Sequence, residues 1–75
     1  MNPDDREQLH RMMQEETAKQ GASLMKCRDS INSDAIWYQV TGKDVFISGR
    51  EARTNSNPKR MQLLVEAKVR IALGC

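Results

Sequence analysis

Apolar residues follow two kinds of spacing over three stretches of this chain, and each kind of spacing predicts a different element. Near the N-terminus they recur sparsely at helical intervals, at Leu9, Met12 and Met13. Residues 35–48 are instead dense in β-branched and aromatic side chains, which is typical of strands. The stretch Asn57–Gly74 returns to helical spacing and holds the largest supply of apolar residues. The pattern therefore predicts an α+β protein in the order helix, β-hairpin, helix (α-β-β-α).

The first helix has strong start signals and a weak apolar face. Asn2 suits the N-cap and Pro3 the first helical position, and acidic residues follow at the positive end of the helix dipole. Beyond Met13 the apolar stripe continues into Glu16 and Gln20. Because so few apolar groups can be buried, this helix depends largely on helix propensity. Its methionines suit either an irregular core or a binding face.

Gly21 is expected to break or end the first helix. The following residues 22–28 are expected to resume it, because Leu24 and Cys27 fall near its apolar side. Residues 29–34 then read as a connector rich in the turn-forming residues Asp, Ser and Asn.

Residues 35–48 predict the β-hairpin. Gly42-Lys43 fits a two-residue turn with glycine first, which places Val40 opposite Val45 and Tyr38 opposite Ile47. One face of the hairpin is then apolar apart from a single phenol, and we expect both helices to pack on it. The residues of that face are Ile36, Tyr38, Val40, Val45 and Ile47.

The opposite face of the hairpin carries two aromatic side chains. Trp37 and Phe46 are expected to be diagonal neighbours within contact distance. Three interpretations are open at this point. One helix packs on each face of the hairpin, a second subunit covers the aromatic pair, or the pair is a platform that stacks a ligand or a nucleic-acid base.

The last helix is clearly bounded, with Asn57 at its N-cap, Pro58 at its first position and Gly74 just beyond its end. The polar residues 49–56 before it predict either an extension of the second strand or a loop. The apolar stripe of this helix is broad and consists of Met61, Leu64, Val65, Val69, Ile71 and Ala72.

Two charged residues fall at apolar positions of the predicted helices. Lys68 lies inside the stripe of the last helix, and Glu16 lies inside that of the first. A lysine at such a position can pack its stem and extend its ammonium group to solvent. The alternative is that Lys68 pairs with Glu16.

Four cations surround the start of the last helix: Arg50, Arg53, Lys59 and Arg60. Cations in a first helical turn oppose the helix dipole, which costs about 0.3–1 kcal/mol each at an exposed site. The same turn presents backbone N–H groups that suit an anion. These residues therefore predict a site for a phosphate or a partner's carboxylate. The alternative is that they extend into water or pair with acidic residues near the start of the first helix.

Size and charge narrow the class of protein. The 75 residues allow one small domain over residues 1–75, and one Trp, one Tyr and one Phe imply a mainly aliphatic and methionine-based core. Residues 1–34 hold five Lys/Arg against seven Asp/Glu (net −2), and residues 35–75 hold seven against three (net +4). This asymmetry favours an anionic partner, attraction between halves of the fold or between subunits, or simply two solvated faces.

The cysteines and the hydropathy pattern bear on the cellular context. No apolar run approaches the roughly 18 residues of a transmembrane span, and the chain begins without a hydrophobic signal region. Cys27 and Cys75 make no disulfide framework and, with His10, no zinc-type spacing. We therefore expect a reduced, cytoplasmic protein without membrane contact, in which Cys27 is a small buried hydrophobe.

Catalytic motifs are missing from the sequence. It has one His, no Gly-rich phosphate loop and no recognisable pairing of a nucleophile with a base. The adjacent acidic pairs suit a helix start and a soluble helix surface. We therefore expect a protein that is not an enzyme and that needs no cofactor or metal.

The segment SGREARTNSNPKRMQLLVEAKVRIAL, residues 48–73, loosely resembles the last strand and helix of double-stranded RNA-binding domains, in which a basic turn opens a helix. It departs from that family in several ways. The sequence predicts two strands where the family has three, the Lys-Lys-x-x-Ala-Lys pattern is absent, and Leu63, Leu64 and Val65 replace small residues. The order helix, hairpin, helix is also similar to that of small phage head–tail joining proteins, without a shared motif. Neither resemblance assigns the chain to a family.

The expected function is that of a small non-catalytic protein-binding module, an adaptor, regulator or inhibitor that occupies a partner's surface. Such roles are common among small phage and mobile-element products that block host machinery. The first alternative is nucleic-acid binding through Arg50, Arg53, Lys59 and Arg60, together with Trp37. The second is a structural assembly subunit, and a small core is compatible with a homodimer.

Overall fold

The computed structural model describes residues 2–30 and 34–74, apart from the side chains of residues 27, 29 and 30. The three strands of this part form one antiparallel sheet in the order β1-β2-β3, with α1 and α3 packed together on one face. The α+β class and the placement of a hairpin between helices are therefore confirmed. The elements are α1 (Pro3–Lys19), β1 (Leu24–Ser30), β2 (Ala35–Val40), β3 (Lys43–Ser48), α2 (Gly49–Thr54) and α3 (Pro58–Leu73).

The first helix begins and ends as its cap residues predict. The Asn2 side chain accepts a hydrogen bond of 2.8 Å from the Asp5 backbone N–H, which satisfies one of the free donors of the first turn. At the other end Gly21 adopts a φ of +69°, which ends the helix in a left-handed residue. The N–H of Ala22 then reaches back to the carbonyl of Thr17 at 2.8 Å.

The prediction that residues 22–28 resume the helix is wrong, because Leu24–Ser30 forms β1 and pairs with β2. The register shifts between Lys26 and Arg28, which marks a β-bulge at Cys27. The predicted connector over residues 29–34 is correspondingly shorter, since residues 29 and 30 still belong to the strand. Residues 31–33 of that connector, Cys75 and the predicted burial of the Cys27 side chain lie outside the described part of the chain.

The hairpin is confirmed, but its turn is Thr41-Gly42 and not Gly42-Lys43. Both turn residues have positive φ, +51° at Thr41 and +82° at Gly42, which matches the right-handed twist of the flanking strands. Val40 therefore lies opposite Lys43. The partner of each β2 residue shifts by two positions from the predicted register. Because side chains alternate with a period of two, the predicted faces are unchanged.

Residues 49–56 contain a short helix, α2, where the sequence analysis expected a strand extension or a loop. Ser48 and Glu51 form a reciprocal capping box, in which the Ser48 hydroxyl accepts from the Glu51 N–H at 3.1 Å. The Glu51 carboxylate accepts in turn from the Ser48 N–H. Gly49 packs so closely on the Asp34 carboxyl group that a Cβ at position 49 would overlap it. These contacts turn the chain out of the sheet directly after β3.

The core lies between the sheet and the two long helices, as predicted from the hairpin faces. Every residue of the predicted apolar hairpin face is buried, including Tyr38. In the apolar stripe of α3 one expectation is wrong, because Ile71 is 75% exposed. The buried residues of α3 follow a narrower line along the helix than the predicted stripe. The core residues are Leu9, Met13, Ile36, Tyr38, Val40, Val45, Ile47, Ala52, Met61, Val65, Val69 and Ala72.

The Thr41-Gly42 turn generates a stability prediction. Thr41 is a β-branched residue in a left-handed conformation, which disfavours such side chains, whereas Asn tolerates it. We expect Thr41→Asn to raise the free energy of unfolding by about 0.5–1 kcal/mol, measured by urea denaturation. The control Gly42→Ala should lower it by about 1 kcal/mol, because its φ is also positive. Equal stability of all three proteins would show that the turn has another conformation in solution.

Candidate functional site

The sheet leaves two aromatic side chains exposed on the face opposite α1 and α3. Trp37 and Phe46 lie directly opposite each other on β2 and β3, and not diagonally as predicted. Their ring centroids are 4.7 Å apart and the ring planes are tilted by 50°. Trp37 is 37% exposed and Phe46 is 41% exposed. Contact between the rings buries part of each, while the outer surfaces of both rings stay accessible to solvent.

Strand β1 extends this exposed surface with residues that the sequence analysis did not include. Met25 lies opposite Gln39 and is 62% exposed, and Arg28 lies opposite Trp37. Cross-strand partners share a face of the sheet, so these residues adjoin the aromatic pair. We call the surface formed by Met25, Arg28, Trp37, Gln39 and Phe46 the open-face patch. Met25 and Arg28 were missed because residues 22–28 were predicted to be helical.

The four predicted cations lie on two consecutive helices. Arg50 and Arg53 belong to α2, and Lys59 and Arg60 lie in the first turn of α3, which holds no acidic residue. All four are exposed. Among the described residues, the side chains of Arg50, Lys59 and Arg60 make no hydrogen bond or salt bridge. All four cations are thus exposed to solvent, on α2 and in the first turn of α3, which are different elements from those of the open-face patch.

The start of α3 lies beside the first half of α1. The Gln8 side-chain amide donates to the carbonyl of Ser56 at 3.2 Å and contacts the sulfur of Met61, also at 3.2 Å. Acidic residues of α1 are therefore in the neighbourhood of Lys59 and Arg60. Nevertheless, no salt bridge within the described part of the chain joins either cation to α1. The pairing that the sequence analysis offered as an alternative is not formed there.

Lys68 pairs with Glu51 of α2, and not with Glu16 as one interpretation of the sequence proposed. The Lys68 ammonium lies 3.1 Å from a Glu51 carboxylate oxygen, and both side chains are partly exposed. An ion pair in such a setting is worth at most about 1 kcal/mol. Its main effect is geometric, because the same carboxylate caps α2. Lys68 thereby fixes α2 against α3.

Glu16 is buried, and no cation among the described residues forms a salt bridge with it. The residue is 3% exposed, and one carboxylate oxygen accepts a hydrogen bond of 2.9 Å from the Gln20 side-chain amide. Its other oxygen, Oε1, has no hydrogen-bond partner in the described structure. A buried polar atom without a partner costs about 1–3 kcal/mol. Glu16 is therefore a local weakness of the fold.

The open-face patch and the exposed cations of α2 and α3 are the candidate binding surfaces of the described structure. Among the side chains that the structure describes, no three from His, Cys, Asp or Glu come together in a way that could hold a metal ion. Every described helix is too short or too polar to cross a bilayer. Comparison with protein families, with curated proteins and with solved structures finds no match to this chain. Function must therefore be argued from the surfaces themselves.

Burial of Glu16 generates a second stability prediction. We expect Glu16→Met to raise the free energy of unfolding by about 1 kcal/mol, because an apolar side chain of similar length removes the unpartnered oxygen from the interior. The measurement is urea denaturation monitored by circular dichroism at neutral pH. Glu15→Met is the matched control, since Glu15 is exposed and the same change there should alter stability by less than about 0.5 kcal/mol. A loss of stability in Glu16→Met alone would mean that the carboxylate has a partner in solution.

Proposed function

We propose that this protein is a non-catalytic module that binds another protein through the open-face patch. The observation that carries the proposal is the exposure of Trp37 and Phe46 side by side on the sheet surface. Single exposed apolar residues are ordinary, but contiguous ones mark interaction sites. The patch also contains Met25 and Arg28, and aromatic residues, Met and Arg are the side chains enriched at protein interfaces.

The rigidity of the patch supports the same function. Its side chains project from paired strands, so their backbone positions are fixed before a partner arrives. The two rings already rest against each other, which reduces the side-chain entropy lost on binding. A partner that suits this surface offers an apolar pocket or ridge for the rings, surrounded by polar groups that can meet Arg28 and Gln39.

The mode of action that we propose is occupation of a partner's surface. This mode of action requires a surface that is complementary to the partner and no reactive group. Adaptors, regulators and inhibitors all act in this way. Inhibition of host machinery by a phage or mobile-element product is one instance of it.

Removal of Trp37 tests this proposal. We expect Trp37→Ala to reduce the recovery of specific partners by at least about tenfold, as for a central aromatic of an interface. The measurement is affinity capture from a nuclease-treated lysate of a host cell, followed by quantitative mass spectrometry. The substitution should cost about 1–2 kcal/mol of stability, below the roughly 3–5 kcal/mol of a core aromatic, because the ring is only partly buried.

Leu63→Ala is the matched control, because Leu63 is an exposed apolar residue on α3, away from the sheet. It should leave partner recovery unchanged. Unfolding of Trp37→Ala, or an equal loss of partners in both variants, would contradict the proposal. Sedimentation of the wild-type protein and of Trp37→Ala distinguishes partner binding from self-assembly. Concentration-dependent oligomers of the wild type that are lost in Trp37→Ala would favour the structural assembly role instead.

The exposed cations support a second candidate function, the binding of nucleic acid. The specific observation is the first turn of α3, where Lys59 and Arg60 are solvent-exposed and no acid balances them. In α1 the corresponding turn carries Asp4 and Asp5. Phosphate groups would offset the unfavourable charges on the helix dipole. Arg50 and Arg53 on the preceding helix would add to the attraction.

A salt titration with Arg60→Glu tests this second candidate. If all four cations contact phosphates, the affinity for duplex DNA or RNA should fall roughly 100-fold between 50 and 200 mM salt. Arg60→Glu should weaken binding at least about tenfold and reduce the salt slope by about one. Arg70→Glu is the control, because it makes the same charge change at the other end of α3. Absence of gel retardation for the wild type even at 50 mM salt would exclude the candidate.

A further inference from the structure

The inner face of β1 is incompletely covered by α1. On β2 and β3 the helix-facing side chains are buried except for Lys43 beside the hairpin turn, whereas on β1 Leu24 is half-buried and Lys26 is exposed. A cavity of about 260 Å³ lies between this strand and α1. Its lining residues belong neither to the open-face patch nor to the exposed cations of α2 and α3. The residues that line it are His10, Gln14, Leu24, Lys26 and Tyr38.

Each polar residue that lines the cavity belongs to a helix or a strand, so its backbone position is fixed. His10 and Gln14 are four residues apart on α1 and therefore lie on the same side of that helix. Lys26 lies directly opposite Tyr38 in the β1–β2 register, on the helix-facing side of the sheet. A lysine at this position is unusual, since its neighbour Tyr38 is almost fully buried.

Two lining side chains, His10 and Tyr38, contact each other. A hydrogen bond joins His10 Nδ1 and the Tyr38 hydroxyl group. The two rings also meet edge to face, with their centroids 5.6 Å apart and their planes at 80°. These contacts between α1 and β2 fix the imidazole and the phenol relative to each other. The cavity therefore has a preformed polar wall.

The chemistry of the lining is biased towards an anion. None of the five lining residues is acidic, Lys26 brings a positive charge, and Gln14, His10 and Tyr38 bring hydrogen-bonding groups. The Leu24 side chain and the Tyr38 ring provide apolar contact beside these groups. The volume is below the roughly 300–1,000 Å³ of pockets that hold drug-sized ligands, so the occupant is small.

From this arrangement we infer that the cavity is a binding site for a small organic monoanion, a carboxylate that carries a short apolar group. The carboxylate lies near the Lys26 ammonium and the Gln14 amide. The apolar group rests against Leu24 and the Tyr38 ring. This inference is independent of the proposed function, because it involves no residue of the open-face patch and none of the exposed cations of α2 and α3.

Nuclear magnetic resonance with 3-phenylpropionate as the probe tests the inference. Titration of the ¹⁵N-labelled protein at constant ionic strength should shift the signals of His10, Gln14, Leu24, Lys26 and Tyr38 and saturate with a Kd of about 1–10 mM, as expected for a ligand of this size. The neutral analogue 3-phenylpropanol should bind at least about tenfold more weakly, because it lacks the charge. Equal binding of both probes would overturn the anion preference.

Lys26→Met keeps the aliphatic stem but removes the charge, and we expect it to weaken 3-phenylpropionate binding at least about tenfold. Lys43→Met is the matched control, since Lys43 is an exposed strand lysine outside the cavity, and it should bind as the wild type does. Gln14→Leu offers a second loss-of-binding variant on α1, should Lys26→Met alter the spectrum of the free protein. Absence of shifts up to 20 mM probe, or shifts centred on Lys59 and Arg60, would overturn the inference.

Discussion

The packing of α1 and α3 against one face of the sheet is the interaction on which the rest of the molecule depends. A three-stranded sheet is stable only when a face is buried, and here β2 and β3 supply the apolar side chains of that face. The helices contribute Leu9 and Met13 from one end of the chain and Met61 and Val65 from the other. Because both helices lie on the same side, the aromatic pair on the opposite side is left exposed to solvent.

Charged residues are arranged around this core in three different ways. Glu51 makes two interactions with one carboxylate, which caps α2 and also forms an ion pair with Lys68 of α3. Glu16 is the opposite case, a buried acid with one oxygen that no described group satisfies. Lys26 shows a third arrangement, a cation on the inner face of an edge strand. An inward charge of this kind also discourages unwanted pairing along the strand edge.

Most of the features that depend on local sequence were predicted correctly. Helix caps and the alternation of apolar residues in a strand depend only on neighbours in the chain. For that reason α1, α3 and both hairpin faces were predictable, from the caps at Asn2 and Asn57, from Gly74 and from the hairpin pattern. The hairpin faces survived an error in the turn because the register moved by an even number of residues. Placing both helices on one face then led directly to the exposure of the aromatic pair.

Elements that depend on distant partners were not predictable in the same way. Strand β1 carries charged residues on both faces, Lys26 inward and Arg28 outward, so its sequence lacks the apolar alternation of a half-buried strand. Its formation depends on pairing with β2. The α2 helix did have a local signal, the Ser48-x-x-Glu51 capping box, which was overlooked. The cavity could not be predicted either, because it forms only where β1 packs beside α1. Neither Lys26 nor His10 indicates it from the sequence alone.

The order of the elements along the chain also determines how the molecule assembles. Each strand pairs with the next one in sequence, so the sheet can form by closing short loops at a small entropy cost. The docking of α1 on α3 is different, because it joins the two ends of the chain, as the contact of Gln8 with Met61 shows. That contact closes a loop which contains the whole sheet. We therefore expect the hairpin to form early in folding, whereas the core is complete only when α1 has packed on α3.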